Sequence, residues 1–207
     1  MSLVLYHHPY SRARTVVWML EEVGISYELR FTDLFAGAHK TPELLALNPM
    51  GKLPILTDGE QVVTEVAAIG LYLADRYALG RLAPEPSDPK RGTYLRWALF
   101  APSVIEPGLL AQKSGWEFKP SQAGWGTPEA MRTAIEAAIA DRDYLLGDTF
   151  SMADVIFGGT LRYMLRVNLL EPSPRIAAYG ERLAARPALQ RAEARNAAVI
   201  EERGLSR

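Results

Sequence analysis

The sequence predicts an α/β half followed by an all-helical half. Up to about residue 80, short apolar runs typical of strands alternate with stretches of helical periodicity. Three prolines then fall within residues 81–89, which indicates a stiff linker. Beyond the linker, apolar residues recur at helical spacing almost throughout. We therefore predict an α/β domain over residues 1–80, a linker over 81–89 and a helical domain over 90–207.

The first helical pattern lies between two strand patterns. The apolar run Leu3–Tyr6 predicts a strand, and a turn follows it. A helix is predicted from Arg12 to a stop at Gly24, because its apolar residues recur at helical spacing. These residues are Ala13, Val16, Val17 and Leu20. Alternation of apolar and polar residues over Ile25–Phe31 predicts a second strand, so the order is that of a βαβ unit.

Two further strands are predicted to form a hairpin. A short helix over Pro42–Leu47 precedes them. The strands Ile55–Leu56 and Gln61–Val63 are separated by a tight turn at Asp58-Gly59, so part of the sheet is antiparallel. A helix is predicted over Glu65–Tyr77. The α/β domain therefore has the order β-α-β-α-β-β-α.

The rest of the chain is predicted to be helical. The candidate helices cover residues 90–112, 128–146, 151–167, 174–186 and 188–203. Ser151 and Asp154 match the Ser-x-x-Asp start signal of a helix, and we interpret both as structural. The pair Gly158-Gly159 predicts close contact of that helix with another.

Composition and charge exclude several classes of function. The net charge is −1 and the pI is about 6.3, so the chain has no basic excess to neutralise a nucleic acid. No apolar run reaches the roughly 20 residues that span a bilayer. The first residues lack the pattern of a signal peptide. We expect a cytoplasmic protein with neither a nucleic-acid nor a membrane partner.

Cysteine and histidine usage limits the chemistry further. The chain has no cysteine, which excludes disulfides and an enzyme cysteine nucleophile. The three histidines are His7, His8 and His39. Adjacent strand residues face opposite sides, so His7 and His8 do not chelate one ion readily. The composition therefore disfavours a metal site, and we interpret these histidines as a polar strand end and a surface loop.

The stretch NPMGKLP, residues 48–54, carries two prolines at the entrance of a predicted strand. A proline there removes a donor from the strand ladder. Pro54 is either simple punctuation between elements or a residue that keeps a backbone edge open for a ligand. The stretch alone leaves both interpretations open.

Four stretches together resemble the soluble glutathione transferases, and bacterial serine-type members in particular. YHHPYSR at residues 6–12 resembles the first strand-to-helix turn of bacterial members, and residues 41–54 resemble the glutathione-loop signature. TEVAAI at 64–69 is similar to a Glu-Ser-x-Ala-Ile stretch, and FSMAD at 150–154 to the capping motif of the second domain. The resemblance covers nearly the whole chain in the right order.

This resemblance implies a thioredoxin-like first domain and an all-helical second domain that walls a hydrophobic pocket. It implies conjugation of the glutathione thiolate to small hydrophobic electrophiles, in detoxification, by a homodimer that needs no metal. Glutathione-dependent isomerisation, dehalogenation or peroxide reduction is an alternative activity. A binding or regulatory protein of the same fold is another.

The resemblance places thiol activation at the first turn. Free thiols titrate near about 8.5, so a useful enzyme must stabilise the thiolate. Ser11 is the first candidate donor, Tyr6 is the second, and Tyr10 is a neighbour that could take the role. Arg12 could add positive charge beside the helix N-terminus. As a helix cap, Ser11 would need no catalytic role.

The resemblance also assigns glutathione contacts. A cis Pro54 would turn the N–H and C=O of Leu53 outward, where they can pair with an extended peptide. Glu65 would bind the γ-glutamyl ammonium. Val66 departs from the serine or threonine of the family, and this loss predicts weaker binding. The remaining candidates for binding glutathione are Tyr10 and, for its glycyl carboxylate, His39 and Lys52.

Aromatic residues of the helical half are candidates for the electrophile pocket. An aromatic residue in a long helix is more often part of the core than of a pocket. The candidates are Tyr94, Trp97, Phe100 and Trp116, with Trp125 in the same Gly- and Pro-containing segment as Trp116.

Overall fold

A computed structural model of the chain describes residues 3–206. The chain divides into two compact units. The first unit is Met1–Tyr77 together with Arg186–Arg207, and the second is Ala78–Ala185. The C-terminal segment therefore groups with the α/β half, whereas the sequence placed residues 90–207 in one helical domain.

The first unit contains a four-stranded mixed sheet. Its strands are β1 (Leu3–His7), β2 (Glu28–Phe31), β3 (Ile55–Asp58) and β4 (Gln61–Thr64). The strand order is β2-β1-β3-β4. β1 is parallel to β2 and antiparallel to β3, and β3 is antiparallel to β4. This arrangement confirms the predicted βαβ unit followed by a hairpin, which is the thioredoxin-like half of the fold.

Helices make up most of the remaining chain. In chain order they are α1 (Ala13–Val23), α2 (Pro42–Leu47), α3 (Val66–Tyr77), α4 (Arg91–Phe100), α5 (Glu106–Lys113), α6 (Pro128–Ala138), α7 (Met152–Arg166), α8 (Pro174–Ala184) and α9 (Pro187–Glu202). None of the helices in residues 3–206 combines the length and apolar character needed to cross a membrane.

The first helix ends where the sequence predicted. Gly24 has φ +80°, and its N–H donates to the carbonyl of Leu20 at 2.9 Å. Only glycine adopts this left-handed backbone without a steric penalty, so it terminates α1. Val16, Val17 and Leu20 are fully buried, which fixes the helix on the sheet.

The last helix joins the first unit through α1. Glu21 of α1 accepts from Arg191 at 2.8 Å and pairs with Arg195 at 2.6 Å. Glu22, also on α1, pairs with Arg186 at 2.6 Å, just before α9. Both carboxylates are largely buried, so their ion pairs with arginines of α9 and of its N-cap help to fix the position of α9 on α1. These partners lie far apart in sequence, so local patterns could not reveal them.

Two predicted helices of the second unit are shorter than expected. The pattern over 90–112 is interrupted by a π-helical turn at Ala101–Ile105, where Pro102 removes a backbone donor. The helix predicted over 128–146 ends at Ala138. The chain then turns so that the buried Leu145 can donate its N–H to Asp154 at 2.8 Å.

The core of the second unit forms where α4 packs on α7. The Trp97 ring of α4 meets Phe157 of α7 edge to face, with centroids 5.8 Å apart. Ser151 and Asp154 form the predicted capping box at the start of α7. A Cβ added at Gly158 would clash with the Leu183 side chain, so the predicted close approach to another helix, here α8, is confirmed.

Candidate active site

The turn between β1 and α1 holds Ser11 in a hydrogen-bonded frame. Its hydroxyl donates to the carbonyl of His8 at 2.8 Å and accepts from the N–H of Ala13 at 3.1 Å. The Ser11 N–H also donates to the His8 carbonyl, at 2.9 Å. The hydroxyl therefore lies at the N-terminal end of α1, and it must turn from the His8 carbonyl to donate to a ligand.

The Tyr6 phenol has a different environment on β1. Its oxygen accepts from Arg30 at 3.0 Å, and the guanidinium carbon lies 5.2 Å from the ring centroid. The half-buried ring packs against an apolar cluster that includes Ala13, Leu53 and Ile55. Tyr6 thus contributes to packing on the sheet and to a contact with β2.

Tyr10 and Arg12 flank Ser11. The Tyr10 hydroxyl donates to the carbonyl of Leu205 at 3.1 Å, which connects the turn to the C-terminal segment. Arg12 is the N-cap residue of α1, with helical φ and ψ of −64° and −16°. Its partly exposed side chain places a positive charge beside the helix start.

His7 and His8 are both fully buried, which corrects their interpretation as a polar strand end. His7 Nε2 lies 2.7 Å from Asn196 Oδ1 on α9. Burial lowers the His7 pKa to about 4, although the hydrogen bond with Asn196 opposes this shift. Burial also lowers the pKa of His8, against the effect of Asp33. Both rings are therefore neutral at neutral pH.

The segment ahead of β3 presents backbone groups. The peptide bond between Leu53 and Pro54 is cis. Within residues 3–206, no hydrogen-bond partner is found for the N–H or the C=O of Leu53. The Leu53 side chain is buried in the apolar cluster beside Tyr6. The fold thus leaves the main-chain N–H and C=O of Leu53 without a partner among the described residues, next to the cis peptide bond.

Glu65 stands at the start of α3 in an unusual backbone conformation. Its φ is +67°, a region that non-glycine residues rarely adopt, while its carbonyl accepts from Ile69 at 2.9 Å. The side chain is exposed. Val66 begins the helix, so its N–H is one of the free donors of a helix N-terminus. Strained residues of this kind concentrate at functional sites.

His39 and Lys52 lie on two loops that touch each other. A Cβ added at Gly51, whose φ is +56°, would lie 3.8 Å from the carbonyl of His39 and 3.4 Å from Lys40. His39 is half-buried, and its Nδ1 atom has no partner among the residues that the structure describes. Lys52 is exposed. The fold thus brings these two basic candidates onto adjoining loops of the first unit.

The electrophile candidates separate into two groups within the helical unit. Tyr94 and Trp97 are buried, and neither lines the aromatic cavity beside Trp116. Phe100 is half-buried and contacts Trp97 with ring centroids 5.2 Å apart. Trp116 is 62% exposed and lines a cavity of about 240 Å³. Its other aromatic walls are Phe118 and Trp125.

Sequence reasoning missed two features of these sites. Phe118 was not singled out, although it lies in the same irregular segment as Trp116. His8, predicted to belong to a polar strand end, is buried, and its carbonyl and ring hold the Ser11 turn. The adjacent Pro9 and Tyr10 signalled a turn, but no local pattern signalled the burial of His8.

Comparison with known proteins identifies the family. Residues 1–75 match the family described as Glutathione S-transferase, N-terminal domain, and residues 129–192 match Glutathione S-transferase, C-terminal domain. Glutathione S-transferase 3 of Zea mays is 31% identical over 206 residues, which cover 91% of this chain and 92% of the maize protein. The chain belongs to the glutathione S-transferase family.

Solved structures of glutathione transferases share this fold. The URE2P8 enzyme of Phanerochaete chrysosporium, solved with oxidised glutathione, is 25% identical, with a TM-score of 0.77 and coverage of 97% of each chain. A glutathione transferase of Methylococcus capsulatus is 29% identical, with a TM-score of 0.75, and the match covers 94% of this chain and 98% of that one. In this glutathione S-transferase, no group of three or more potential metal ligands is found within residues 3–206.

Proposed function

We propose that this glutathione S-transferase joins the glutathione sulfur to small hydrophobic electrophiles, with the Ser11 hydroxyl as the hydrogen-bond donor to the thiolate. Family membership makes the protein a glutathione transferase with glutathione as its co-substrate. One observation carries the role of Ser11. Its hydroxyl lies at the N-terminal end of α1, and the Ser11 residue is partly exposed to solvent.

The reaction requires a modest decrease in the pKa of the glutathione thiol. A free thiol has a pKa of about 8.5, so most of it is protonated at neutral pH. The N-terminal end of α1 favours an anion, and a hydroxyl adds a charge-assisted hydrogen bond. A bond of roughly 1.5–3 kcal/mol corresponds to one or two pKa units. On binding, the Ser11 proton turns from the His8 carbonyl to the sulfur.

The Ser11 hydroxyl is favoured because it bonds to the first turn of α1, where the helix dipole favours an anion. The Tyr6 oxygen instead lies on β1 and accepts from Arg30, although its own proton can still be donated. The Tyr10 hydroxyl donates to the Leu205 carbonyl. Ser11 also has Arg12 beside it, whose charge favours a thiolate at the same place. These differences favour the serine-type assignment.

Glutathione is proposed to lie along the unpartnered main chain of Leu53, next to Pro54. Glu65 would bind its ammonium group, and the free N–H groups at the start of α3 would bind the γ-glutamyl carboxylate. His39 and Lys52 would meet the glycyl carboxylate from their adjoining loops. For the electrophile, Trp116 remains the candidate that lines an aromatic cavity of the helical unit.

Two serine-to-alanine variants, one at Ser11 and one at a control position, test the role of Ser11. In Ser11→Ala we expect the pKa of glutathione bound to the protein to rise by about one to two units, read from the ultraviolet absorbance of the thiolate. Conjugation at neutral pH should fall about ten- to a hundredfold. The control is Ser103→Ala, because this hydroxyl also donates to a backbone carbonyl, that of Leu99, at 2.6 Å.

The same measurement can reject the assignment. If Ser11→Ala leaves the bound thiol pKa unchanged, Ser11 acts only as a cap of α1. The role then passes to whichever of Tyr6→Phe and Tyr10→Phe raises that pKa.

A second candidate function follows from Val66. Its side chain cannot donate the hydrogen bond that serine or threonine would offer, and such a bond to a charged group is worth roughly 1.5–3 kcal/mol. A binding or regulatory protein that no longer uses glutathione would tolerate this loss. Calorimetry distinguishes the transferase from the binding or regulatory protein. The transferase would bind glutathione, whereas the other protein would show no binding at millimolar glutathione.

We also propose a homodimer, a cytoplasmic location and a role in detoxification of electrophiles. The support is family resemblance. Light scattering that gives the mass of one 22.9 kDa chain would contradict the dimer. Cell fractionation and a panel of aryl halides and epoxides test the other two proposals.

A further inference from the structure

His8 makes three hydrogen bonds that define the turn ahead of α1. Its Nδ1 accepts from the N–H of Tyr10, with 3.2 Å between the two nitrogens. Its carbonyl accepts from both the N–H and the hydroxyl of Ser11, at 2.9 and 2.8 Å. One residue therefore holds the backbone before Ser11 and the hydroxyl of Ser11 itself.

The ring of His8 is fixed by aromatic neighbours. Tyr10 and Phe35 meet it edge to face, with centroids 5.5 and 5.2 Å away. Phe31 of β2 lies against it at 5.5 Å. His8 is fully buried, and its Nε2 atom has no partner within residues 3–206. These contacts surround the ring while its Nδ1 is directed at Tyr10.

We propose that His8 is a positioning residue that holds the Ser11 hydroxyl for thiol activation by fixing the turn through its Nδ1 atom. The inference rests on the proposed function, in which Ser11 is the thiol partner. It extends that function, because His8 contacts neither sulfur nor substrate and acts through the backbone of Tyr10.

The bond from Tyr10 requires a neutral ring. An imidazole nitrogen accepts a hydrogen bond only while it carries no proton, so the ring proton of His8 must be on Nε2. Burial lowers the pKa of His8 and keeps this form at neutral pH, while Asp33 opposes the shift. Tyr10 packs against the ring, His7 precedes it in the chain and interacts with it electrostatically, and Arg203 lies over the neighbouring Phe31.

Protonation of His8 at acid pH would break the bond from Tyr10. The turn would then loosen, and Ser11 would lose its fixed position. The structure therefore assigns to protonation of His8 part of the decline of the conjugation rate at acid pH, which is the acid limb of the pH profile. At higher pH the ring is neutral and does not lower the rate.

Two substitutions of His8 distinguish a role in positioning Ser11 from a role in filling the buried space. Asparagine places a side-chain oxygen where it can accept the N–H two residues later, and it does not titrate. Leucine fills the buried site without an acceptor. In His8→Leu we expect kcat/KM at neutral pH to fall about ten- to a hundredfold, with a higher pKa of the bound thiol. The Kd for glutathione should change less than about threefold, because Leu53 and Glu65 are untouched.

His8→Asn should recover most of the loss seen in His8→Leu. It should also lose the His8 part of the decline at acid pH, while the part caused by protonation of the bound thiol remains. His7→Gln is the matched control, because His7 is equally buried but bonds to Asn196 on α9 instead of the Ser11 turn. It should leave the bound thiol pKa unchanged. If His8→Leu does not fold, the pH profile of His8→Asn against the wild type carries the test.

Three results would overturn the proposal. They are a bound thiol pKa in His8→Leu equal to that of the wild type, no recovery in His8→Asn, or an unchanged acid limb in His8→Asn. Failure of the proposed function is distinguishable, because Ser11→Ala would then leave the thiol pKa unchanged. Hydrogen exchange of the Tyr10 amide reads the His8 bond directly, without glutathione. Protection should fall in His8→Leu and persist in His8→Asn.

Discussion

Glu65 adopts a backbone conformation that its residue type disfavours. A non-glycine residue in the left-handed region costs roughly 1–2 kcal/mol, and Glu65 has φ +67°. Within residues 3–206 its exposed carboxylate has no hydrogen bond or ion pair that would explain this cost. An ammonium ligand would supply the reason, and substitution can test this.

Two substitutions at Glu65 separate binding from backbone strain. Glu65→Gly and Glu65→Ala both remove the carboxylate, so both should weaken glutathione binding about tenfold or more. Glycine also relieves the strained backbone, so Glu65→Gly should be more stable than Glu65→Ala by about 1 kcal/mol. Calorimetry measures the affinity and urea unfolding measures the stability. Unchanged affinity in Glu65→Ala would remove the residue from the proposed site.

At the scale of elements, Asp154 organises the start of α7. Its carboxylate accepts from the N–H of Leu145 at 2.8 Å and from the N–H and hydroxyl of Ser151, both at 2.9 Å. The Tyr179 hydroxyl of α8 donates to it as well, at 2.9 Å. One buried side chain thus joins α7, α8 and the segment that precedes α7.

Asp154→Asn should destabilise the protein by about 2–4 kcal/mol. An amide has a single oxygen, so its NH₂ group would face donors that now bond to the carboxylate. Ser151→Ala is the comparison, because it removes one donor, leaves the carboxylate in place and should cost about 1 kcal/mol. Urea unfolding measures both. Equal losses in the two variants would show that the carboxylate acts as a helix cap alone.

At the scale of the whole molecule, the two ends of the chain meet within the first unit. His7 on β1 and Asn196 on α9 are 189 positions apart and bond at 2.7 Å. Arg14 of α1 pairs with Glu193 of α9, and Tyr10 bonds to the carbonyl of Leu205. The stability of the thioredoxin-like half therefore depends on residues from the opposite end of the sequence.

The buried His7 makes this stability depend on pH. Its pKa is lowered to about 4 in the folded protein, against 6.5 in the unfolded chain. Between these values the unfolded chain binds the proton more readily, so the free energy of unfolding falls as the pH falls. From this residue alone, the free energy of unfolding changes by up to about 1.4 kcal/mol per pH unit. The total change across the whole titration is about 3 kcal/mol.

His7→Gln removes this titration. Urea unfolding at several values between pH 7 and pH 5 should give a shallower decline in the variant than in the wild type, whatever its stability at pH 7. His8, whose pKa burial also lowers, remains in both proteins. Equal slopes would mean that His7 is not the group that titrates.

The sequence by itself determined the order of elements in the α/β half, the mixed sheet and the family. Strand and helix periodicity, the stop at Gly24 and the capping box of Ser151 and Asp154 depend on residues within a few positions of each other. Such local signals are complete in the sequence, so these predictions were confirmed. The stretches around Ser11, Leu53 and Glu65 were likewise recognisable as continuous motifs, although their roles stay predictions.

Tertiary structure alone decided which distant residues meet. The docking of α9 on α1, the burial of His7 and His8, and the bonds that hold Ser11 depend on partners that no local pattern links. The break in the helix at Ala101–Ile105 and the burial of Tyr94 and Trp97 belong to the same class. Periodicity shows that a face is apolar, but only the packed chain determines what covers that face.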